Sequence, residues 1–416
     1  MTNPLYDAYA VLQKVYGGGA YLKQALNETP IEELHRARTV KICYGVLERD
    51  LYLDFCIRSF APKNPKLPVR ILLKISLYML LYMEKPRYMV TDNAVALAKK
   101  LGKGGAAGFL NAFLRAFDEA KLRLPQDPTD RLSLRYSVPR FAAERIVKTY
   151  GEQGAEQILA FRPPRTFVRF KDAETARAYV QAAGEKAEQT PFPNVYAFSN
   201  FRRDAGYDAG DYTFQSVGSV AVCSVVEPCE RMLDACAAPG GKSVLLSQKC
   251  GRVTAFELYE HRADLIGQYA RRMGAGNVDV VCRDSSVSDA RYVAQFDGVL
   301  VDAPCSGYGV IGENPDIKFF RKEESLAQLT KTQRAILDCC SDYVRAGGCL
   351  YYSTCSIFEE ENDGTVEYFL KDHPAFRVEP AACALAHMRT RFGLQFLPHC
   401  SMGAGFYVCK LRKVGE

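Results

Sequence analysis

The sequence predicts a multidomain chain: an all-α N-terminal part, a small α+β piece, and an α/β, Rossmann-like domain with a mostly parallel sheet. Three observations predict it. Apolar residues recur at spacings of three and four through residues 1–120, short strand and helix patterns mix over 165–210, and from 211 strand patterns alternate with helix patterns. At 416 residues the chain exceeds one ordinary core and suits two or three domains.

In the first part, AYAVLQKVY, ELHRARTVKICYGVLERDLYLDFCIRSF, PVRILLKISLYMLLYM and TDNAVALAKKLG carry the helical period. Breaks fall at GGG (17–19), PKNPKLP (62–68) and GKGG (102–105), and GFLNAFLRAF (108–117) closes the set. The most apolar stretch, RILLKISLYMLLYM (70–83), carries Arg70 and Lys74 and is too short to span a bilayer, so it reads as a core helix. PQDPTD (125–130) is a polar, proline-bearing boundary, which sets the first domain at 1–125. Residues 126–210 read as linker helices (FAAERIVKTYG, GAEQILAFR) and a small α+β piece, with strands at RTFVRF (165–170) and NVYAFSNF around the helix DAETARAYVQAAG. From 211 to 416, RMLDACAAPGGK, RVTAFEL, VDVVCRD, FDGVLVDAPCS and CLYYSTCS are strands separated by helical runs, the pattern of a doubly wound sheet.

The net charge of +6 is unevenly placed. Residues 1–150 hold 24 Lys and Arg against 14 Asp and Glu, and the rest is slightly acidic. That asymmetry suits a polyanion met mainly by the first part. The N-terminal stretch has no basic region followed by an apolar run, so no secretory signal is read and a cytoplasmic location is expected, without a membrane. The fifteen cysteines include no CxxC pair. Zinc and redox spacings are therefore missing, no metal is expected, and thirteen of the thiols read as small buried hydrophobes. A monomer is assumed.

Ligands of an open α/β sheet bind outside the carboxyl ends of its strands. Four segments fall there. LDACAAPGGKS (233–243) has Gly240 and Gly241 to turn the backbone close to a ligand. Glu257 ends the next strand, where an acidic side chain accepts from ribose hydroxyls, and Asp284 ends the following one, suited to an amino group such as that of adenine. Asp302 and Cys305 follow another strand, and Cys355 follows the last. Neither GxxxxGK[ST] nor a fitting GxGxxG is present, so a nucleoside cofactor without a phosphate tail, such as S-adenosylmethionine, suits the set better than NAD.

Taken together, LDACAAPGGKS, DAPCSGYGVI followed by NPDIK, and YYSTCSIFEEEN resemble the RNA 5-methylcytosine methyltransferases, as do YTFQSVGSVAV (212–222) and MGAGFYVCKL (402–411). The helical first part resembles the NusB-type RNA-binding domain, and the middle piece is RRM-like. The whole chain is similar to the bacterial enzymes that join these parts and methylate cytosine C5 of 16S ribosomal RNA. The resemblance implies a class I methyltransferase domain, S-adenosylmethionine as cofactor and 16S ribosomal RNA as partner.

Such chemistry needs a thiolate. Cytosine C5 is a poor nucleophile until a sulfur adds to C6 and makes C5 enamine-like. The residue physics leaves open which thiol attacks, since DNA cytosine methyltransferases use the cysteine of a PC segment. The resemblance implies that Cys355 attacks and Cys305 assists release of the product. It also implies that Cys236, Ala237, Ala238, Pro239, Gly240, Gly241 and Lys242 cradle the methionine moiety, with Glu257, Arg262 and Asp284 completing the cofactor site. Asp302, between cofactor and cytosine, is expected to offset charge at N3 in its protonated form, and Lys242 to hold either the Asp302 loop or the target nucleotide. Glu359, Glu360 and Glu361 read as a solvated turn. Three departures stand out: GEN (312–314) replaces the usual basic pair, leaving Lys318 or Arg321 for a phosphate contact; Phe319 stands where tryptophan is usual; and Glu257 is more often aspartate. A transfer RNA methyltransferase and a non-catalytic RNA-binding assembly or antitermination factor are the competing readings.

Overall fold

The helical period of the first part is realised as nine helices among the described residues: α1 (Pro4–Gly18), α2 (Leu22–Glu28), α3 (Glu33–Glu48), α4 (Asp50–Phe60), α5 (Leu67–Leu81), α6 (Arg87–Lys100), α7 (Ala107–Ala116), α8 (Pro128–Tyr136) and α9 (Arg140–Ala160). The computed structural model describes residues 4–162 and 166–415. Residues 1–3 of the N-terminal stretch and Arg165, which begins the strand read at 165–170, lie outside them. Pro68 sits in the first turn of α5, where its missing N–H costs nothing. Gly151, at φ 72°, divides α9 between the two helical patterns seen in the sequence.

α5 is the core helix that its composition predicts, with Ile71 to Met79 buried throughout. Lys74 lies in that core at 2 % exposure and is tolerated because it is paired. Its ammonium bonds Asp50 and lies 3.1 Å from Asp54 Oδ2, while the Tyr16 hydroxyl donates to Asp50 at 2.5 Å. A buried cation satisfied this way is stable only while its partners stay in place.

Two compact units result: Met1–Ala160 with Asn314–Lys322, and Phe161–Glu313 with Glu323–Glu416. In the first unit the segment 314–322 is held by Asp316 Oδ2, which accepts the Leu22 N–H at 2.7 Å, and by Phe319, edge-on to Tyr16 at 5.5 Å.

The second unit opens with β1 (Thr166–Phe170), α10 (Ala173–Ala183), β2 (Ala187–Gln189), β3 (Val195–Phe198), α11 (Ala205–Asp208) and β4 (Tyr212–Phe214), whose strands form an antiparallel sheet in the order β2-β3-β1-β4. Then come α12 (Val217–Val225), β5 (Arg231–Asp234), α13 (Gly241–Leu246), β6 (Arg252–Glu257), α14 (Glu260–Arg272), β7 (Val278–Cys282) and β8 (Phe296–Asp302). After α15 (Ile317–Phe320) follow α16 (Glu323–Ser341), β9 (Val344–Thr354), α17 (Asp363–Asp372), β10 (Phe376–Glu379), β11 (Met388–Arg389), β12 (Leu394–Gln395) and β13 (Tyr407–Lys413). The main sheet runs β11-β12-β13-β9-β8-β5-β6-β7, with β10 also on β13.

Strands β5 to β9 are mutually parallel and β13 is antiparallel to β9. This is the α/β, mostly parallel sheet read from the sequence. Its strands are buried on both faces: Met232, Leu300 and Tyr351 pack toward α12, and Leu233, Val299, Val301 and Tyr352 pack toward α16 and α17. β13 carried no strand pattern in the sequence because Tyr407 to Leu411 are all buried, which erases the period of two. The chain order reverses between β5 and β8, the place where such sheets open a crevice. Among the described residues no helix is long and apolar enough to cross a membrane.

Replacing Lys74 by alanine leaves the buried Asp50 carboxylate without its cation and removes one of the two cations beside Asp54, and is expected to destabilise the helical unit by roughly 3–5 kcal/mol in urea unfolding. A loss under about 1 kcal/mol would show the pair to be dispensable.

Candidate active site

The crevice is built by strand ends set side by side. Across the sheet they are Asp284 beyond β7, Glu257 on β6, Asp234 and the 236–242 loop on β5, Asp302 on β8 and Cys355 beyond β9. Neighbouring strands lie about 4.8 Å apart, so this arc spans roughly 20 Å.

The β5 loop turns at Gly240, whose φ of 101° excludes a side chain and whose Cβ would meet Ile266 and Tyr269 of α14 at 3.1–3.3 Å. Asp234, 1 % exposed, accepts from the Ser243 hydroxyl at 2.7 Å through Oδ2. Its Oδ1 has no partner among the described residues. Burial, eased by Ser243 and reinforced by the charge of Asp302, pushes this carboxyl up to about 6. A cleft of about 550 Å³ runs past Asp234, Cys236–Pro239, Gly241, Lys242 and Asp302. Its far wall is formed by Thr213–Ser216, Tyr207 and Tyr269. These residues fit an S-adenosylmethionine-sized ligand, because Asp234 Oδ1 is a buried acceptor waiting for a cationic donor such as its ammonium group.

Glu257 and Asp284 lie outside the walls of that cleft, at the adjoining strand ends. Glu257, 5 % exposed, accepts from the Tyr259 N–H at 3.2 Å and lies 3.3 Å from Arg262 Nη1. Arg262 thus orients the carboxylate. Asp284 is exposed, with Oδ1 accepting from the Ser286 N–H at 2.8 Å and hydroxyl at 2.7 Å.

Asp302 is held on both oxygens, Oδ1 by the Ser353 hydroxyl and Oδ2 by Lys242 Nζ, each at 2.6 Å. Burial draws the Lys242 ammonium down, but the charge and hydrogen bond of Asp302 outweigh it and leave the group above the usual lysine range. Lys242 is thus bonded to Asp302.

The thiols meet. Cys305 Sγ and Cys355 Sγ are 3.1 Å apart and unbonded, and the Cys355 N–H donates to Cys305 Sγ at 3.3 Å. Cys305 is 8 % exposed and Cys355 is more open. The hydrogen bond to Cys355, then burial, push the Cys305 thiol well up, so it stays protonated. Two other thiols, Cys282 and Cys400, are exposed, contrary to the reading of thirteen buried ones: Cys282 ends the edge strand β7 and Cys400 lies in a turn.

Glu361 overturns the solvated-turn reading. It is fully buried, and its carboxyl accepts the Ser306 N–H at 2.8 Å, the Ser306 hydroxyl at 2.5 Å, the Ser356 hydroxyl, and Gln333 Nε2 at 3.0 Å. The same Gln333 amide donates to the Pro304 carbonyl at 3.0 Å. One side chain therefore ties the loop bearing Cys305 to the loop bearing Cys355. The run of glutamates hid it: three identical neighbours look solvated, and only the turn at 359–361 sends the third inward while Glu359 stays exposed. Asn362 continues the clamp, accepting from the Thr354 hydroxyl at 2.6 Å and donating to the Ser356 carbonyl at 3.0 Å. Asn362 and Asp234 were not singled out in the sequence, although both stand inside the quoted motifs. Lys318, expected near a phosphate, is instead 9 % exposed in the first unit, its ammonium on the Glu48 carbonyl at 3.0 Å.

The chain was compared with known proteins. Residues 224–412 match the family model described as 16S rRNA methyltransferase RsmB/F, and residues 6–119 match the NusB family. A probable ribosomal RNA small subunit methyltransferase B from Bacillus subtilis is 31% identical, covering 95% of this chain and 94% of its own. A ribosomal RNA small subunit methyltransferase B from Sodalis glossinidius is 32% identical over 93% of this chain and 92% of its own. Among solved structures, that of PH0851 superposes with a TM-score of 0.84 at 20% identity, over 99% of both chains, and shares the fold.

The clamp makes the two thiols unequal, so iodoacetamide is expected to label Cys355 at least about tenfold faster than Cys305. In Glu361→Gln, whose amide cannot accept from all four donors, that preference should collapse. Peptide mapping with unchanged selectivity would show that the carboxyl does not order the loops.

Proposed function

The chain belongs to the RsmB/F family of 16S rRNA methyltransferases, and from that premise we propose that it methylates C5 of a cytosine in 16S ribosomal RNA through a transient bond between Cys355 and C6. It is an S-adenosylmethionine-dependent RNA methyltransferase. The observation that carries the C5 reading is the pair of thiols 3.1 Å apart beyond β8 and β9, beside an aspartate locked by a lysine. One sulfur alone suits many reactions; two within contact suit a cycle in which one adds and the other manages protons.

Bound in the crevice, S-adenosylmethionine supplies an electrophilic methyl group on a sulfonium. Asp234 takes its ammonium, the 236–242 loop its methionine chain, Glu257 its ribose and Asp284 its adenine. The target base leaves any stack to enter the crevice. Cys355 gives its proton to solvent, adds to C6 as the thiolate and pushes electron density toward N3 and C5. Asp302, held on its two oxygens by Ser353 and Lys242, is assigned to accept from the cytosine amino group. We assign the proton that N3 requires to the Lys242–Asp302 pair, which takes it back when the methylated base is released. After C5 has gained carbon, its proton must leave and the C6–S bond must break. Cys305 hands its proton to the departing Cys355 sulfur and takes the C5 proton in exchange, which restores both thiols. The NusB-like helices, in the more basic part of the chain, are assigned to holding the RNA.

Labelled S-adenosylmethionine and deproteinised small-subunit RNA test the reading. Cys305→Ala should accumulate a protein–RNA adduct stable on denaturing gels, and Cys355→Ala should give none and transfer no label. An adduct in the Cys355 variant would reverse the two roles. Asp302→Asn should lower kcat by about 100-fold or more, the scale of a lost charge-stabilising group.

A further inference from the structure

The two thiols beyond β8 and β9 are also placed to react with each other. Cys305 Sγ and Cys355 Sγ are 3.1 Å apart, against 3.6 Å for Cys229 and Cys250, which lie just before β5 and β6 at the far ends of the strands. A disulfide bond is about 2.05 Å long and joins chains whose Cα atoms are roughly 4.4–6.8 Å apart. Adjacent strands stand about 4.8 Å apart, inside that range. The loops still run side by side past the end of the ladder. One residue beyond each cysteine, the Ser306 and Ser356 hydroxyls are 3.2 Å apart and share the Glu361 carboxyl. The sulfurs need to close by about 1 Å to bond.

Access is unequal in the way such a reaction needs. Cys355 is half-buried and within reach of a small oxidant, whereas Cys305 is 8 % exposed. An accessible thiol with a resolving thiol in contact is the arrangement found in redox-sensing sites.

We propose that Cys305 and Cys355 form a reversible disulfide when the protein meets a peroxide, and that this bond switches methyl transfer off. The bond follows from the geometry alone, while the loss of activity rests on the assignment of both sulfurs to the C5 reaction. Cys355 loses its proton to solvent, and its thiolate attacks one peroxide oxygen. The O–O bond breaks, Cys355 becomes the sulfenic acid, and the departing hydroxide takes up a proton as water. The Cys305 sulfur then attacks the Cys355 sulfur, the S–O bond breaks, and the Cys305 proton leaves with that oxygen as a second water. Two electrons and two protons thus pass from the thiols to one molecule of hydrogen peroxide. In the linked form neither sulfur can add to C6 or hand over a proton. The link also spares the nucleophile, because a sulfenic acid with no thiol beside it goes on to the sulfinic acid, which thiols do not reduce.

Reduced full-length protein, freed of reductant and treated with hydrogen peroxide, tests this by mass-spectrometric peptide mapping without reduction. Transfer from labelled S-adenosylmethionine to deproteinised small-subunit RNA is read in parallel. The wild type should yield a peptide pair joined through Cys305 and Cys355 and lighter by two hydrogens. Transfer should fall in proportion to the linked fraction, and dithiothreitol should reverse both changes. Cys229→Ser, which removes the distant pair, should keep the same sensitivity. Cys305→Ser, which has no resolving thiol, should carry Cys355 to the sulfinic acid, beyond recovery by dithiothreitol. No Cys305–Cys355 link in the wild type, full linkage with transfer unchanged, or sensitivity that disappears with Cys229 overturns the proposal. Reduced protein that transfers no methyl group refutes the C5 reading instead, and the mapping still decides the bond.

Discussion

A single carboxyl group, that of Glu361, decides whether the two loops above β8 and β9 form one site. Parallel strands deliver their ends about 4.8 Å apart, but nothing in a β ladder controls the loops beyond its last hydrogen bond. Here the ladder ends with Asp302 opposite Ser353, and the thiols come two or three residues later. Glu361 carries order past that point by accepting from Ser306 and Ser356, the residues immediately after Cys305 and Cys355. Deprived of it, four buried donors would need new partners, each at about 1–3 kcal/mol. The backbone adds a second constraint: Gly309 and Gly405 touch so closely that a Cβ on either would lie 1.9 Å from the other's carbonyl oxygen. The Gly309 N–H in turn bonds the Cys355 carbonyl at 3.0 Å.

The chemistry that follows depends on inequality between like groups. Both sulfurs are cysteine, yet one is buried, hydrogen-bonded and held protonated, and the other is half-buried. Both Asp234 and Asp302 are strand-end carboxylates. Asp234 is buried with one oxygen unpaired and its pKa raised, whereas Asp302 is saturated by Lys242 and Ser353. Environment thus divides labour between identical side chains, as in other acid–base sites. The reversal of strand order between β5 and β8 sets two halves side by side: strand ends of β5 to β7, to which we assign the cofactor, and those of β8 and β9, to which we assign the nucleophile.

Much of this was legible in the sequence. Gly240, Asp302, Cys305 and Cys355 announced themselves because strand ends and glycine turns have local patterns. The parallel sheet was legible from alternation of strand and helix. What stayed hidden was decided by distant partners. Lys74 helped to mark its segment as a core helix and not a membrane span, but its own burial is explained only when Asp50 and Asp54 come beside it. Lys318 reads as a free cation until its ammonium meets the Glu48 carbonyl, and Glu361 as a solvated acid until four donors converge on it. β13 has no alternation because both its faces are covered. In each case the deciding contact joins residues that local periodicity cannot relate.

The central claim is that the more open sulfur bonds to the pyrimidine while its neighbour does not. The most direct measurement uses wild-type protein, S-adenosylmethionine and small-subunit RNA carrying 5-fluorocytidine, whose C5 fluorine cannot depart as a proton does. Mass spectrometry of the trapped complex should find the nucleotide, already methylated, on Cys355. A nucleotide on Cys305, or methylation with no adduct on either sulfur, would contradict the account.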